Sequence, residues 1–360
     1  MSPAGPRLSR VACFAVPAVS AVLLGSLAAC GSESGATGAT TVSTLSTKVP
    51  AEYNGTDKGH FDVLSEPKEV PGTSFKVGFL NTNAGQPILL AMQNAAKAEV
   101  ARLGGSFIAL DASSDPQKQA SQMNQVIAQQ VDVIIVDPTV ATALGPGITR
   151  AEAAGIPVIA IGTPPDQSKP QNLGFETSIS QGFDYSVYRT MKALADEHPG
   201  ATFATMGLSI PVDQLIFMLD RIQYWGEEFG LKFEGKVDTP NDNPLGFGPA
   251  TTTILGKYPD VDFIVTFNDE SAVAAATTVA TSGKDAKIVT PNAAQPIARD
   301  AMKAGRLEVV YRVPWEQQGV QSVWAAYDTL TKQNLPLPEF ITVPGYTVTA
   351  DEVDEASWLR

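Results

Sequence analysis

A chain of 360 residues with 44% apolar and 18% charged side chains holds enough material for a sizeable buried core, so disorder throughout is excluded. Its 38 acidic residues against 25 basic ones give a net charge of −13 without any run of Lys and Arg, which excludes nucleic acid as a partner. Two isolated histidines, His60 and His198, and two cysteines, Cys13 and Cys30, show no Cys-x-x-Cys or His-x-x-x-His spacing, so neither a metal site nor another cofactor is expected.

Arg7 and Arg10 precede an uncharged stretch from Val11 to Ala29 that ends in Leu27-Ala28-Ala29-Cys30-Gly31. A positive region, an apolar run and small residues before a cut have the build of a secretory signal, here residues 1–29. A spanning anchor is the alternative, and Pro17 and Gly25 argue against it. The Leu-Ala-Ala-Cys sequence closely resembles the lipobox of bacterial lipoproteins, in which the cysteine sulfur takes a diacylglycerol and becomes the new N-terminus. That resemblance implies lipid attachment at Cys30 and a place on the extracytoplasmic face of the cell membrane. Acyl chains add about 0.8 kcal/mol per buried CH₂, so several hold a domain firmly. Residues 31–50 are mostly Gly, Ser, Thr and Ala and read as a flexible leash. Residues 51–74, with Pro67, Pro71 and Gly72, read as an irregular lead-in, so 30–74 is expected to act as a linker.

Strands and helices then alternate. FKVGFL is a strand, Ile88 to Leu103 a helix by its apolar spacing, SFIALD a strand, and Pro116 to Gln130 a helix capped by Asp115. VDVIIVD and IPVIAIG are nearly continuous apolar runs, the mark of parallel strands covered on both faces. After a loop come helix Gln181–Glu197, strand ATFATMG, helix Val212–Phe229, strand LKFEGKVD, helix Gly248–Lys257 and strand VDFIVTF. Helix Glu270–Ser282, strand AKIVTP, helix Gln295–Ala304, strand LEVVYR and helix Gln317–Thr331 complete the series. So many strands exceed one compact sheet, and two α/β lobes with doubly wound parallel sheets are expected.

Catalytic motifs are missing. No G-x-G-x-x-G or G-x-x-x-x-G-K-[ST] occurs, and Gly207-Leu208-Ser209-Ile210-Pro211 lacks the second glycine of a nucleophile elbow. Asp132/Asp137 and Asp260/Asp262 sit at strand edges, where carboxylates cap or face solvent. Binding without chemistry is the reading these absences favour.

The ordered matches Leu110-Asp111-Ala112, Asp115-Pro116-Gln117-Lys118-Gln119, Val131 to Thr139 and Ala154-Gly155-Ile156-Pro157-Val158 resemble the type I periplasmic binding proteins of the ribose and galactose group, and Phe267-Asn268-Asp269-Glu270-Ser271-Ala272 resembles that family's second-lobe turn. The resemblance covers Phe75 to about Thr349 and implies two lobes joined by three crossing strands, with a ligand cleft between them. It assigns 75–176 plus 313–341 to the N-terminal lobe and 177–312 plus 342–360 to the C-terminal lobe, with crossings near Glu176–Thr177, Arg312–Val313 and Ile341–Thr342. Ligands bind beyond the carboxyl ends of parallel strands, so the loops there are the expected site.

Position by position, the family's stacking aromatics fall on Ile88 and Leu89, its sugar-binding Asp-Arg on Gly162-Thr163, and its second-lobe arginine near Leu219, with Arg221 matching only the arginine two residues later. Asn268 matches, although an Asn before Asp269-Glu270 also suits a helix cap. Asp137 stands where the family usually has Asn, Asn292 replaces an Asp, and Arg312 replaces a Gln. The expected ligand-binding set is therefore Asn83, Gln86, Ile88, Asp137, Gly162, Thr163, Asn268, Asn292 and Arg312, with Leu89, Phe175, Phe217 and Trp315 as further apolar walls. Arg312 is expected to be the main cation left for the ligand, which leans toward an acidic or strongly polar solute; the alternative is that it pairs internally with Asp137 or Asp269. The resemblance implies a monomeric binding lipoprotein that captures a small polar solute by hinged closure and hands it to an ABC permease. A ligand sensor presenting its bound state to a membrane kinase or receptor is the alternative.

Overall fold

Continuous apolar runs become central strands and amphipathic stretches become their covers in the computed structural model, which describes residues 45–163 and 173–359. The first half contains β1 (Lys76–Asn81), α1 (Pro87–Arg102), β2 (Ser106–Asp111), α2 (Pro116–Ala128), β3 (Val133–Val136), α3 (Gly145–Ala153), β4 (Val158–Ile161) and β5 (Thr177–Ser180). The second contains α4 (Phe183–Glu197), β6 (Thr202–Leu208), α5 (Asp213–Glu228), β7 (Lys232–Thr239), α6 (Pro244–Lys257), β8 (Phe263–Val265), α7 (Asp269–Ser282), β9 (Lys287–Ala293), α8 (Pro296–Lys303) and β10 (Leu307–Arg312). The chain closes with α9 (Trp315–Thr331), β11 (Phe340–Thr342) and β12 (Tyr346–Thr349).

Two six-stranded sheets result, in the orders β11-β5-β4-β3-β1-β2 and β12-β10-β9-β8-β6-β7. The two orders are the same winding repeated, and every pairing is parallel except β10 with β12. The innermost strands β3 and β4 are buried at every residue because helices cover both faces. Helix α9 belongs with the first sheet by its packing on α1, β3, β4 and β5. Gly319 permits that approach: a Cβ there would lie 2.2 Å from the Met92 carbonyl oxygen.

The chain passes between sheets at Gln181–Gly182, at Val313–Pro314 and at Val343–Gly345. The second crossing falls where the sequence suggested. The first and third come several residues later, because Thr177 still pairs with Ile159 and Ile341 with Ile179 in the first sheet.

Residues 45–74 differ from the expected linker. They contain no helix or strand, yet Tyr53 and Asp57 are fully buried. Tyr53 packs edge-on against Phe61, Tyr185 and Tyr188, and with Leu45, Val49 and Leu64 on the same core these aromatics give the segment apolar area enough to order it. The segment then binds both lobes. The Tyr53 hydroxyl donates to Asp184 at 2.9 Å, and the Tyr185 amide donates to Asp57 at 2.8 Å, both on α4 of the second lobe. The Thr342 amide donates to the His60 carbonyl at 2.6 Å, and the Val70 amide to the Tyr327 hydroxyl at 2.8 Å, both in the first lobe. We refer to this segment as the strap.

Asp184 is the knot of the strap. Its carboxylate also accepts from the Thr56 amide, Arg221 Nε and the Trp225 indole, joining strap, α4 and α5 while fully buried. Asp184→Ala leaves a charge and several donors without their acceptor, and should cost about 3–5 kcal/mol in chemical denaturation; a loss below about 1 kcal/mol would show that the knot is not needed.

Candidate functional site

Parallel strands end together, so the loops after β1, β3 and β4 of the first lobe face the loops after β6, β7, β8 and β9 of the second. The first turn is prebuilt. Asn81 Oδ1 accepts from the Asn83 amide at 3.0 Å, its Nδ2 donates to the Leu89 carbonyl, and Asp111 accepts from the Ala84 amide at 2.8 Å. Asn83 holds this turn too, accepting from the Gly85 amide and donating to Ser114. Gln86 leaves the turn and crosses to the other lobe: its Nε2 donates to Asp242 Oδ2 at 2.9 Å. Asn268 Nδ2 donates to the other oxygen of Asp242, also at 2.9 Å. Burial, together with nearby Glu270, pushes the Asp242 carboxyl above its ordinary range.

A second cross-lobe contact runs from the Ala141 amide to Asp213 at 3.1 Å, and a third joins Gln214 to Asp137. Gly162 makes room for this meeting. Its φ of +77° is left-handed, and a Cβ there would lie 2.3 Å from Gln214 Oε1 and 3.2 Å from Asp137 Oδ1. Only glycine fits easily. Asp137 is 2% exposed and has no cationic partner, and burial raises its pKa to about 7. Asp132 and Asp137 lie at opposite ends of β3, and Asp137 is no solvated strand end.

Several buried polar atoms have no protein partner: Asp137 Oδ2, Thr163 Oγ1, Gln214 Oε1, Asn292 Oδ1, Trp315 Nε1, and both amide atoms of Gln181 and of Gln318. Gln181 lies on the first crossing, and Trp315 and Gln318 directly follow the second. Buried polar groups are otherwise nearly always paired, so a group this large marks a place where something else supplies the partners. Gln181, Gln214, Asp242 and Gln318 were not among the sequence candidates. The signal for two of them was their place just beyond β6 and β7, Gln214 in the first turn of α5 and Asp242 in the loop before α6; neither is a position that the resemblance assigns to the ligand.

Other candidates have structural duties. Asn268 is the N-cap of α7 in a capping box with Ser271, so its Oδ1 is committed while its Nδ2 reaches Asp242. Asp269 accepts the Ala294 and Gln295 amides and, being buried, is raised to about 7. Asn292 Nδ2 ties to the Phe267 carbonyl. Ile88 and Leu89 are members of the large core cluster, and Phe175 belongs to a smaller one with Leu144 and Ile148, which makes all three core residues; Phe217 packs partly buried against the large cluster.

Arg312 is the clearest correction. Each nitrogen of its guanidinium is engaged, with Nε donating to the Ser357 carbonyl at 2.8 Å, one terminal nitrogen to the Val313 carbonyl and the other to Glu316. Neither Asp137 nor Asp269 is its partner. The C-terminal segment reaches this arginine because β12 pairs with β10. Arg221, likewise, is spent on Asp184. Glu197, His198 and Glu308 form the one His/carboxylate cluster that could hold a metal among the described residues, and Lys287 already pairs with Glu308 at 2.7 Å. Cys30, with the rest of 1–44, and residues 164–172 and 360 lie outside the described residues.

The profile of the periplasmic binding protein domain matches residues 77–334. A ribose import binding protein of Bacillus subtilis (strain 168) is 24% identical over 225 residues, covering 60% of this chain and 68% of its own. Among solved structures, the binding component of an arabinose ABC transporter from Shewanella sp. ANA-3, bound to arabinofuranose, is similar with a TM-score of 0.71 and 21% identity, covering 78% of this chain and 93% of that one. A solute-binding protein of an ABC transporter from Actinobacillus succinogenes 130z, with bound D-allose, has a TM-score of 0.70 at 20% identity and covers 78% and 99%. These relatives are solute-binding proteins, not enzymes.

Two outcomes follow from this geometry. Arg312→Gln should lower the stability of the unliganded protein by about 1.5–3 kcal/mol, the range for hydrogen bonds to a charged group, while ligand affinity in calorimetry stays within about twofold. Asp57, Asp137 and Asp269 all have carboxyls raised to about 7. An acid whose folded pKa is raised stabilises below its unfolded value, near 3.8, and loses that contribution as pH rises through 7. Melting temperature should therefore fall between pH 5 and 8, and Asp137→Asn should flatten the slope; a melting temperature that climbs across this window would contradict the assignment.

Proposed function

Because the chain belongs to the type I periplasmic binding protein family, we propose that it captures one hydroxyl-rich, sugar-sized solute between its lobes and delivers it to an ABC permease. The observation that carries the ligand class is the set of buried, unpartnered amide, hydroxyl and carboxyl atoms on Asp137, Thr163, Gln181, Gln214, Asn292 and Gln318. Fixed amides and carboxyls offer both donors and acceptors, which is what several hydroxyls on one small molecule require. Engagement of Arg312 removes the reason to favour an acid. The ribose, arabinofuranose and D-allose named for relatives are of the same chemical class.

Capture would proceed by closure about the three crossings. Gln86–Asp242, Ala141–Asp213 and Asp137–Gln214 would form as the lobes meet, sealing the solute from water. We further propose that the protein is exported and held at the membrane through a lipid on Cys30, a reading supported by the Leu-Ala-Ala-Cys sequence after an apolar leader.

The test is a thermal-shift screen of aldoses, polyols and small carboxylic acids. A hydroxyl-rich ligand at a hundredfold excess over Kd should stabilise by about 2.7 kcal/mol; stabilisation by carboxylic acids alone would overturn the ligand class. For the anchor, Cys30→Ser should move the protein from the membrane fraction to the soluble fraction, or leave an uncleaved precursor. Unchanged processing with unchanged attachment would refute it.

A further inference from the structure

The described part of the cleft is lopsided in charge. Among the described loops at the carboxyl ends of the strands, Asp111, Asp115, Asp137 and Asp242 are acidic, and Asp213, Asp269 and Glu270 open the helices that follow. Those described loops hold no Lys or Arg; Arg312, the last residue of β10, is the basic residue beside them, and each of its guanidinium nitrogens donates elsewhere, to Ser357, Val313 and Glu316. The unpartnered atoms lean the same way. Asp137 Oδ2, Thr163 Oγ1, Gln214 Oε1, Asn292 Oδ1 and Glu270 Oε2 can all accept, whereas the amide nitrogens of Gln181 and Gln318 and the Trp315 indole donate.

Asp137 is the sharpest case. Both cleft neighbours in contact with it, Gln214 from the second lobe and Thr82 from its own, offer neutral hydrogen bonds, and its second oxygen is buried with none. A buried carboxylate without a cation is costly unless something neutralises it. Its surroundings have the polarity for that partner: Gln214 Oε1 packs over Gly162 without a donor of its own, and Thr163, which is 8% exposed, keeps an unpaired hydroxyl next in sequence.

We propose that the solute carries a basic nitrogen beside its hydroxyls, as an amino sugar or amino polyol does, and that Asp137 is its counter-ion. This rests on the cleft being the binding site argued above. The ammonium brings the donors that Asp137 Oδ2, Thr163 Oγ1 and Gln214 Oε1 lack, and the remaining hydroxyls meet the amides of Gln181, Asn292 and Gln318. Lobe closure then buries an ion pair rather than a lone charge.

Matched pairs test this by calorimetry on the full-length protein: D-glucosamine against D-glucose, D-galactosamine against D-galactose, and 1-amino-1-deoxy-D-glucitol against D-glucitol. At least one amine should bind about tenfold or more tightly than its hydroxyl parent. Asp137→Asn, its folding checked by a melting curve, should erase that preference, and a preference that survives the substitution overturns the role of Asp137. The wild-type comparison decides the amine independently of the variant. Parents that bind as tightly as their amines overturn the proposal and leave the sugar-binding reading standing, whereas failure of every compound, together with a negative screen of aldoses and polyols, overturns both.

Discussion

Parallel pairing constrains everything else in this molecule. A strand covered by helices on both faces has no solvated side, so β3 and β4 are apolar at each position and polar residues are pushed to the strand ends. All strands of the first sheet run the same way, as do all but one of the second, so one edge of each sheet collects the loops that begin at Thr82, Asp137, Gly162, Ser209, Pro240 and Thr266. The chemistry of the protein is concentrated there because the fold leaves it nowhere else to go. The same winding used twice then sets two such edges against each other.

Much of this was legible in the residues. Runs such as VDVIIVD and IPVIAIG announce buried parallel strands, and Asp115 before Pro116 marks a helix start that the structure confirms through bonds to the Gln117 and Lys118 amides. The site was legible in part. Asn83, Gln86, Asp137, Gly162 and Asn268 could be placed at strand ends from the pattern alone. Side-chain direction could not. Arg312 occupies a position that suggests a ligand contact, but a C-terminal segment some 45 residues later supplies Ser357 and turns the guanidinium away. Long-range partners of this kind carry no local signal. Gln181 and Gln318 were hidden for a related reason: a glutamine on a crossing and a glutamine in a first helical turn look ordinary until their burial is known.

Buried carboxylates recur with different solutions. Asp184 is matched by an arginine, an indole, a phenol and an amide. Asp269 is satisfied by two backbone amides, in keeping with its place at the first turn of α7. Asp137 has neither a cation nor a backbone cradle of that kind. Comparing the three separates acids whose partners the chain itself supplies from one left with an unpaired oxygen, which burial alone does not.

The strap lies before the segment that matches the periplasmic binding protein family, and its first contacts are with α4, where Arg189 donates to the Ser46 carbonyl and Tyr185 to the Lys48 carbonyl. Mechanical load arriving along the chain from its N-terminal side therefore enters the second lobe through α4, which directly follows the Gln181–Gly182 crossing. A pull applied close to an axis exerts little torque about it. Only from Asp57 onward does the chain reach the first lobe, through the Thr342 hydroxyl on Asp57 and the Thr342 amide on His60. If the lobes close about the three crossings as proposed, attachment through this end leaves that motion nearly free of tension, as a door hung by its hinge post swings whatever weight the post bears.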